Sequence, residues 1–466
     1  MTIWVPQLPR VRAIYLEIAD AISNDIESEA LSDGTRLPPQ RDLASKLRVS
    51  IGTITRAYTL AERRGLVSAQ VGRGTFVLGR PDEKFPMGQS GETVHRAINL
   101  SMMWPLNGLD PDLGAALKQL SRRDDLSELL AYQPNAGLRR HRESGAEWIR
   151  RHGFEVDPDQ VVLCAGGQHA FCTVLAAIAG SNDTVMSEES VYPGFRAAAN
   201  LLGMRVLGLG MDEEGLRPDA FEVACKTGRS RILYTVPTLQ NPTTSTMSLE
   251  RRMQIGEIAR RYDVMIFEDA IHNLLIEDGP PTITSLFPDI SFLIASPSKV
   301  VTGGLRVAYL ATPERFVKRL SQNLWATTWM VPPLVAEIFA GWIEDGTADQ
   351  VVKRKREEAK ARCVLARSML PSELLSAPGA SYHAWLRLPR EWPSAAAFVK
   401  KALANGVAVM SADAFHVGPG PAAKAVRLSL SATRSREQVV EALRRVALTL
   451  STTSPASPDE LSTAIV

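Results

Sequence analysis

Seven short apolar runs recur between residues 160 and 311: "QVVLCA", "DTVMSE", "MRVLGL", "RILYTV", "VMIFED", "FLIAS" and "RVAYLA". Helical segments such as "LERRMQIGEIARRY" lie between several of them. Apolar runs of this kind are buried strands, and their alternation with helices predicts an α/β domain: a mostly parallel sheet covered by helices on both faces. Ligands of such sheets bind beyond the carboxyl ends of the strands.

The polar residues at those ends are therefore the ones to read. After "VVLC", the turn Gly166-Gly167-Gln168 opens a helix whose backbone N–H groups can hold a phosphate. Tyr192 follows "DTVMSEES" as an aromatic free to stack, and Asn241 follows "ILYTVPTLQ". Asp269 ends "VMIFE", where a carboxylate is costly unless paired. The stretch "LIASPSKVVTGGLR" takes a buried strand through Ser296 to Lys299, and then past a Gly-Gly pair to Arg306. A phosphate cup, an aromatic plate, an amide, a carboxylate and an amine on one sheet edge form the set that pyridoxal phosphate needs. It requires a lysine for a Schiff base, an anion to keep its ring nitrogen protonated, a phosphate cradle and a stacking partner.

At 466 residues the chain is too long for a single ordinary core, and its net charge of +2 conceals an asymmetry. Residues 1–35 carry two arginines against six carboxylates, whereas residues 36–80 carry nine Lys/Arg against Asp42 and Glu62. A basic segment beside an acidic one suggests a small module with one face turned to a polyanion. Ile14, Ile18, Ile22 and Ile26 recur at helical spacing, and "SDGTRLPPQ" then breaks the helix. "PPQRDLASKL" predicts a second helix with Leu43, Ala44 and Leu47 inward. Ser50 caps a third, which buries Ile54, Ala57, Tyr58 and Ala61 and turns Gly52, Thr53, Thr55 and Arg56 outward. Two short helices about a tight turn are a helix-turn-helix. "GLVSAQVGRGTFVL" adds a hairpin, a wing with Arg73 at its tip.

The segment "GTRLPPQRDLASKLRVSIGTITRAYTLAERRGLVSAQVGRGTFV" resembles the winged helix-turn-helix of GntR-family transcription regulators, whose L-P-S-x-R-x-L-A, V-S-R-x-T-V, A-Y and G-x-G-T-F-V pattern it meets over nearly its whole length. The resemblance marks Arg41, Ser50, Thr53, Arg56 and Arg73 for DNA. Gln40 and Ile51 depart from the family's more usual Glu and Arg, and Ile51 removes a base or phosphate contact.

Residues from about 99 to 450 resemble the fold-type-I aminotransferases of class I/II, and "SPSKVVTGGLRVAY" is similar to their S-x-S-K-x-x-x-P-G-L-R-x-G-Y. That resemblance implies that Lys299 carries the Schiff base and that Ser296 and Arg306 grip the cofactor phosphate with Gly167 and Gln168. It implies that Tyr192 stacks on the ring, Asn241 bonds the phenolic oxygen and Asp269 pairs with the pyridinium. Arg427 in "AVRLSLS" matches the arginine that takes a substrate carboxylate in a two-point fork, and Tyr132 in "YQPNAGLR" matches a tyrosine that reaches the phosphate of the partner subunit's cofactor. His272 stands where the family usually has tyrosine. It is expected to bind the cofactor by donating to the phenolate, and to titrate near neutrality.

A GntR-type module ahead of an aminotransferase-like domain is the architecture of the MocR regulators. The organisation expected is a winged helix over 1–78, a linker over 79–98, the cofactor-binding domain over 99–450 with a small α+β subdomain from about 345, and a disordered tail over 451–466. The resemblance implies a head-to-tail homodimer that binds a double-stranded DNA operator and senses an amino acid or amine. A working aminotransferase with a fused DNA-binding module is the alternative. A pure cofactor sensor is a third reading, which Arg427 opposes because cofactor sensing needs no carboxylate clamp. The four cysteines fit no zinc or disulfide spacing, no metal is expected, and no stretch reads as a leader or a membrane span. A cytoplasmic location is expected.

Overall fold

The computed structural model describes residues 4–9, 11–28, 30–31, 35–63, 66–70, 74–77 and 97–451, with positions 182, 229 and 419 excepted. The chain forms two compact units, Met1–Ser90 and Gly91–Val466.

In the first unit, α1 (Ile14–Glu27), α2 (Gln40–Leu47) and α3 (Ile51–Arg63) precede a hairpin of β1 (Val67–Gln70) and β2 (Gly74–Val77). Ile18, Ile22 and Ile26 pack with Leu43, Leu47, Ile54 and Tyr58 in one core, as the four-residue spacing demands. Arg48 ends α2 in the left-handed region, at φ 53°, which makes the turn tight. Ser50 Oγ then accepts from Thr53 N at 3.2 Å and caps α3.

The second unit is built on a seven-stranded sheet. Its strands are β3 (Val161–Cys164), β4 (Thr184–Glu188), β5 (Arg205–Leu209), β6 (Ile232–Thr235), β7 (Met265–Asp269), β8 (Ser291–Ala295) and β9 (Ala308–Ala311), in the order β3-β9-β8-β7-β6-β4-β5. Pairings are parallel except those of β9, which runs antiparallel to β8 and β3. Phe171, Phe195, Tyr234, Phe267 and Phe292 fill one face of the sheet, and Trp148, Tyr309, Phe339 and Leu293 fill the other. Helix α4 (Gly167–Ile178) springs from the end of β3.

A long helix, α5 (Thr347–Met369), leads into a second sheet of β10 (Leu375–Ser376), β11 (His383–Arg387), β12 (Met410–Ser411) and β13 (Ala425–Ser429), ordered β10-β11-β13-β12, and α6 (Arg436–Ser451) closes it. Ala384, Leu386, Val426 and Leu428 point into that subdomain's own core, so strand alternation turns His383, Arg427 and Ser429 to the opposite face.

Two expected boundaries move. Ile98, assigned to the linker, is already strand: Ile98–Asn99 pairs in parallel with Val407–Ala408 of the small subdomain. Ser451, assigned to the tail, ends α6. The rest of the linker and tail, 79–96 and 452–466, lies outside the described residues. Cys164, Cys225 and Cys363 are buried free thiols, and Cys172 is half-buried. Among the described residues no helix is long and apolar enough to cross a membrane, and no side-chain cluster suits a metal.

Candidate functional site

Beyond the carboxyl ends of β3, β4, β6, β7 and β8 lies a cleft. Gly167, Gln168, Tyr192, Asn241, Asp269, His272, Ser296, Lys299 and Arg306 all line it. The sheet gathers these residues because each follows a strand or ends one, except Arg306, which stands just before the antiparallel β9.

Lys299 is partly exposed to the cleft, and its Nζ donates to the carbonyl of Met103 at 2.6 Å. Burial and the nearby positive charges of Arg427 and Arg306 push its pKa down to about 8. Asp269 is buried at the end of β7. Its Oδ2 accepts from Tyr234 Oη at 2.9 Å and its Oδ1 from Ile271 N at 3.1 Å. Burial still raises its pKa to about 6, against the pull of those two donors and of Lys299. A buried carboxylate held short of full ionisation is stabilised by a cation brought into the cleft.

At the other end, α4 presents its N-terminus. Gly166 has φ +83°, and a Cβ there would strike the Arg306 guanidinium, so only glycine lets the arginine lie across the turn. Nothing stands within 4 Å of where a Gly167 Cβ would be, which leaves an open cradle at the helix start. Ser296 Oγ bonds Ser298 Oγ at 2.9 Å on the same rim. Backbone N–H groups, hydroxyls and a guanidinium are the donors that an anionic phosphate takes. Gln168 anchors the turn by donating from Nε2 to Gly194 O at 2.7 Å.

His272 differs from expectation. Its Nδ1 lies 3.0 Å from the carbonyl of Leu239, and a carbonyl only accepts, so Nδ1 carries the proton. Burial, with the charges of Lys299 and Arg427, lowers the ring's pKa to about 3. Neutral and protonated at Nδ1, the ring has a bare, buried Nε2 without a partner. It therefore accepts a hydrogen bond rather than donating to a phenolate, and it does not titrate near neutrality. His383 beside it is held the same way, with Nε2 3.0 Å from Gln240 O and Nδ1 unpartnered.

Arg427 is buried over the Phe415 ring at 4.8 Å. Its Nη1 donates to Asn241 Oδ1 at 2.7 Å, its Nη2 donates to Ser101 O at 2.7 Å, and its Nε has no partner. Arg427 and the cleft are thus joined through Asn241. Tyr132 does not join them: it is 80% exposed, away from the cleft, with its ring 5.2 Å from Trp329.

Sequence reading missed Tyr234, Ser298 and Met103. Tyr234 lies 35 residues before Asp269 and meets it only because β6 and β7 pair in register, with Tyr234 opposite Phe267. A tyrosine in an apolar strand reads as core, and no local signal betrays the pairing. Ser298 was visible inside the quoted lysine motif.

On the DNA-binding module, Arg41, Ser50 and Arg56 are exposed and Thr53 is half-buried. The Arg56 guanidinium lies over the Tyr15 ring at 4.6 Å, and Gln40 Oε1 accepts from Thr55 Oγ1 at 2.7 Å. Arg73 lies outside the described residues.

Residues 98–446 match the model of the family "Aminotransferase class I and II", and residues 14–77 match "Bacterial regulatory proteins, gntR family". The chain belongs to the class I and II aminotransferase family. With a gntR-family helix-turn-helix ahead of that domain, its architecture is that of the MocR type. YdeF of Bacillus subtilis (strain 168), an uncharacterized HTH-type transcriptional regulator, is 30% identical over 94% of this chain and 95% of its own. The vitamin B6 salvage pathway transcriptional repressor PtsJ of Salmonella typhimurium is 27% identical over 90% of this chain and 95% of its own. Among solved structures, the α-aminoadipate aminotransferase LysN of Thermus thermophilus, complexed with N-(5'-phosphopyridoxyl)-L-leucine, aligns with TM-score 0.68. It is 26% identical and covers 78% of this chain and 95% of its own.

Proposed function

We propose that this protein is a transcription regulator. Its winged helix-turn-helix binds an operator in double-stranded DNA, and its aminotransferase-like domain holds pyridoxal phosphate and senses an amino acid or amine. The observation that carries this reading is the union, in one chain, of a gntR-family helix-turn-helix with an aminotransferase-family cleft that holds an amine and a buried carboxylate.

When bound, pyridoxal phosphate supplies an aldehyde that amines capture and a ring that withdraws electrons. Lys299 would hold the aldehyde carbon, Asp269 would pair with the protonated ring nitrogen, and Tyr192 would stack on the ring. Ser296, Ser298, Arg306 and the start of α4 would hold the phosphate. Asn241 and His272 would bond the ring's polar substituents, His272 as an acceptor. Arg427 would take the carboxylate of an amino-acid effector. Exposed Leu130, Tyr132, Trp325 and Trp329 form an apolar surface that supports a head-to-tail homodimer. A cytoplasmic location fits a DNA-binding protein.

The test is direct binding. A duplex selected by the protein from a random pool is titrated at several salt concentrations. Affinity should fall steeply with salt, because residues 36–80 carry nine cationic side chains against two carboxylates and several of them meet phosphate. A protein that selects no duplex is not this regulator.

A further inference from the structure

We infer that residues 99–103 form a strap that competes with the ligand for the site's two cations, and that its release transmits ligand binding to the DNA-binding module. The inference rests on the regulator reading above.

The strap starts in the small subdomain and crosses the site. Leu100 is buried in that subdomain's core; its N–H donates to Ala408 O and its carbonyl accepts from Ser429 N, both at 2.7 Å. Asn99 Oδ1 then builds the turn, accepting from Ser101 N at 2.8 Å, Ser101 Oγ at 2.8 Å and Met102 N at 3.3 Å. That turn delivers the Ser101 carbonyl to Arg427 Nη2 at 2.7 Å and the Met103 carbonyl to Lys299 Nζ at 2.6 Å. One short segment therefore satisfies a cation of the large sheet and a cation of the small subdomain.

Both are the cations that a ligand needs. Arg427 Nε is buried without a partner, on the guanidinium edge it shares with Nη2. A carboxylate docking on that edge takes Nε–H and the Nη2 N–H beside it, leaves Ser101 at most the second N–H of Nη2, and sets an anionic oxygen beside the Ser101 carbonyl on the same nitrogen. Lys299 likewise would give up its contact with Met103 while Nζ is bonded to the cofactor's aldehyde carbon, and would become a free amine again when an amino acid's own nitrogen displaces it. Cofactor and carboxylate thus each compete with one of the strap's two carbonyls, which is the differential interaction that a shift between two states requires.

The covalent path from this site to the winged helix passes through residue 97, at the start of the strap. Displacing the strap thus acts on the junction through which the DNA-binding module is attached. Asn99 bonds Ser101 and Met102 and neither ligand cation, so it is the lever to cut.

The experiment uses full-length, cofactor-loaded protein and the duplex selected by the wild type. Asn99→Ala dissolves the turn, Arg427→Gln removes one tether, and Asn99→Asp keeps the acceptor oxygen. Amide hydrogen exchange is followed across residues 98–104 beside operator affinity. The expected result is faster strap exchange in Asn99→Ala and Arg427→Gln, with operator affinity moved in one common direction by about fivefold or more, and wild-type behaviour in Asn99→Asp. Faster exchange in both variants with unmoved operator affinity would overturn the coupling, and unchanged exchange in Arg427→Gln would overturn the tether. If Asn99→Ala loosens peptides throughout the protein, Arg427→Gln alone decides. Failure of the regulator reading looks different: the wild type then selects no duplex at all.

Discussion

An amine that attacks an aldehyde must be neutral, and the surroundings of Lys299 bring that condition close to neutral pH. Burial and two nearby guanidinium groups push its pKa down to about 8, so the attacking fraction grows as pH rises through that value. Cofactor attachment should accelerate from about pH 6 to about pH 9, following the amine's ionisation. Borohydride should fix the cofactor to the wild type and not to Lys299→Ala; a freely dialysable cofactor after reduction of the wild type would refute the assignment. Asp269 works in the opposite sense. Its pKa is raised to about 6, so the unliganded fold is favoured below the ordinary carboxylate range and loses that advantage as pH rises through 6. A cation in the cleft recovers it. The gain in melting temperature on loading the cofactor should therefore grow from about pH 5 to about pH 7. Tyr234→Phe removes a donor to the ionised carboxylate and should weaken cofactor binding by about 1.5–3 kcal/mol, measured by equilibrium titration at neutral pH. Equal affinity in that variant would show that Asp269 is held without Tyr234. At this scale the sequence was legible wherever a polar residue interrupts an apolar run. It was not legible where function depends on which atom of a side chain is free. The tautomer of His272 is set by a carbonyl 33 residues away, at Leu239, and only the fold reveals that this ring accepts.

Helices and strands follow from short-range pattern. The spacing of Ile18, Ile22 and Ile26 fixes the buried face of α1, and the packed core of the module holds α3 with its other face outward. On that face Arg56 lies over Tyr15, which limits the guanidinium's freedom before DNA arrives. Arg56→Ala should weaken operator binding by about 1–3 kcal/mol if the side chain reads a base, as measured by fluorescence anisotropy. An unchanged isotherm would remove it from the recognition surface. Local pattern says less about pairings that span the chain. The antiparallel β9 reads in sequence like its parallel neighbours, and the direction is set by its connection: β8 reaches it through the Lys299 turn and not through a crossover helix. Ile98 pairs with Val407 across more than half the chain, so the strand that begins the strap looked like the end of a linker.

Across the whole molecule, ligand and DNA are proposed to share one conformational equilibrium. Lys299 and the cleft belong to the large sheet and Arg427 to the small subdomain, and an amino acid whose amine displaces Lys299 from the cofactor while its carboxylate reaches Arg427 would make contacts that the empty protein cannot make. Linkage then requires that effector and operator change each other's affinity by the same factor, typically about 1–3 kcal/mol. The decisive measurement is the operator isotherm of cofactor-loaded, full-length protein, recorded with and without a saturating amino acid found by its shift of the cofactor's visible absorbance. The wild-type isotherm should move. That of Arg427→Ala, which still binds cofactor and DNA but with the shifted operator affinity of a freed strap, should be the same with and without the amino acid. A wild-type isotherm left unmoved at saturation would contradict the sensor account and leave the domain to be understood as an enzyme.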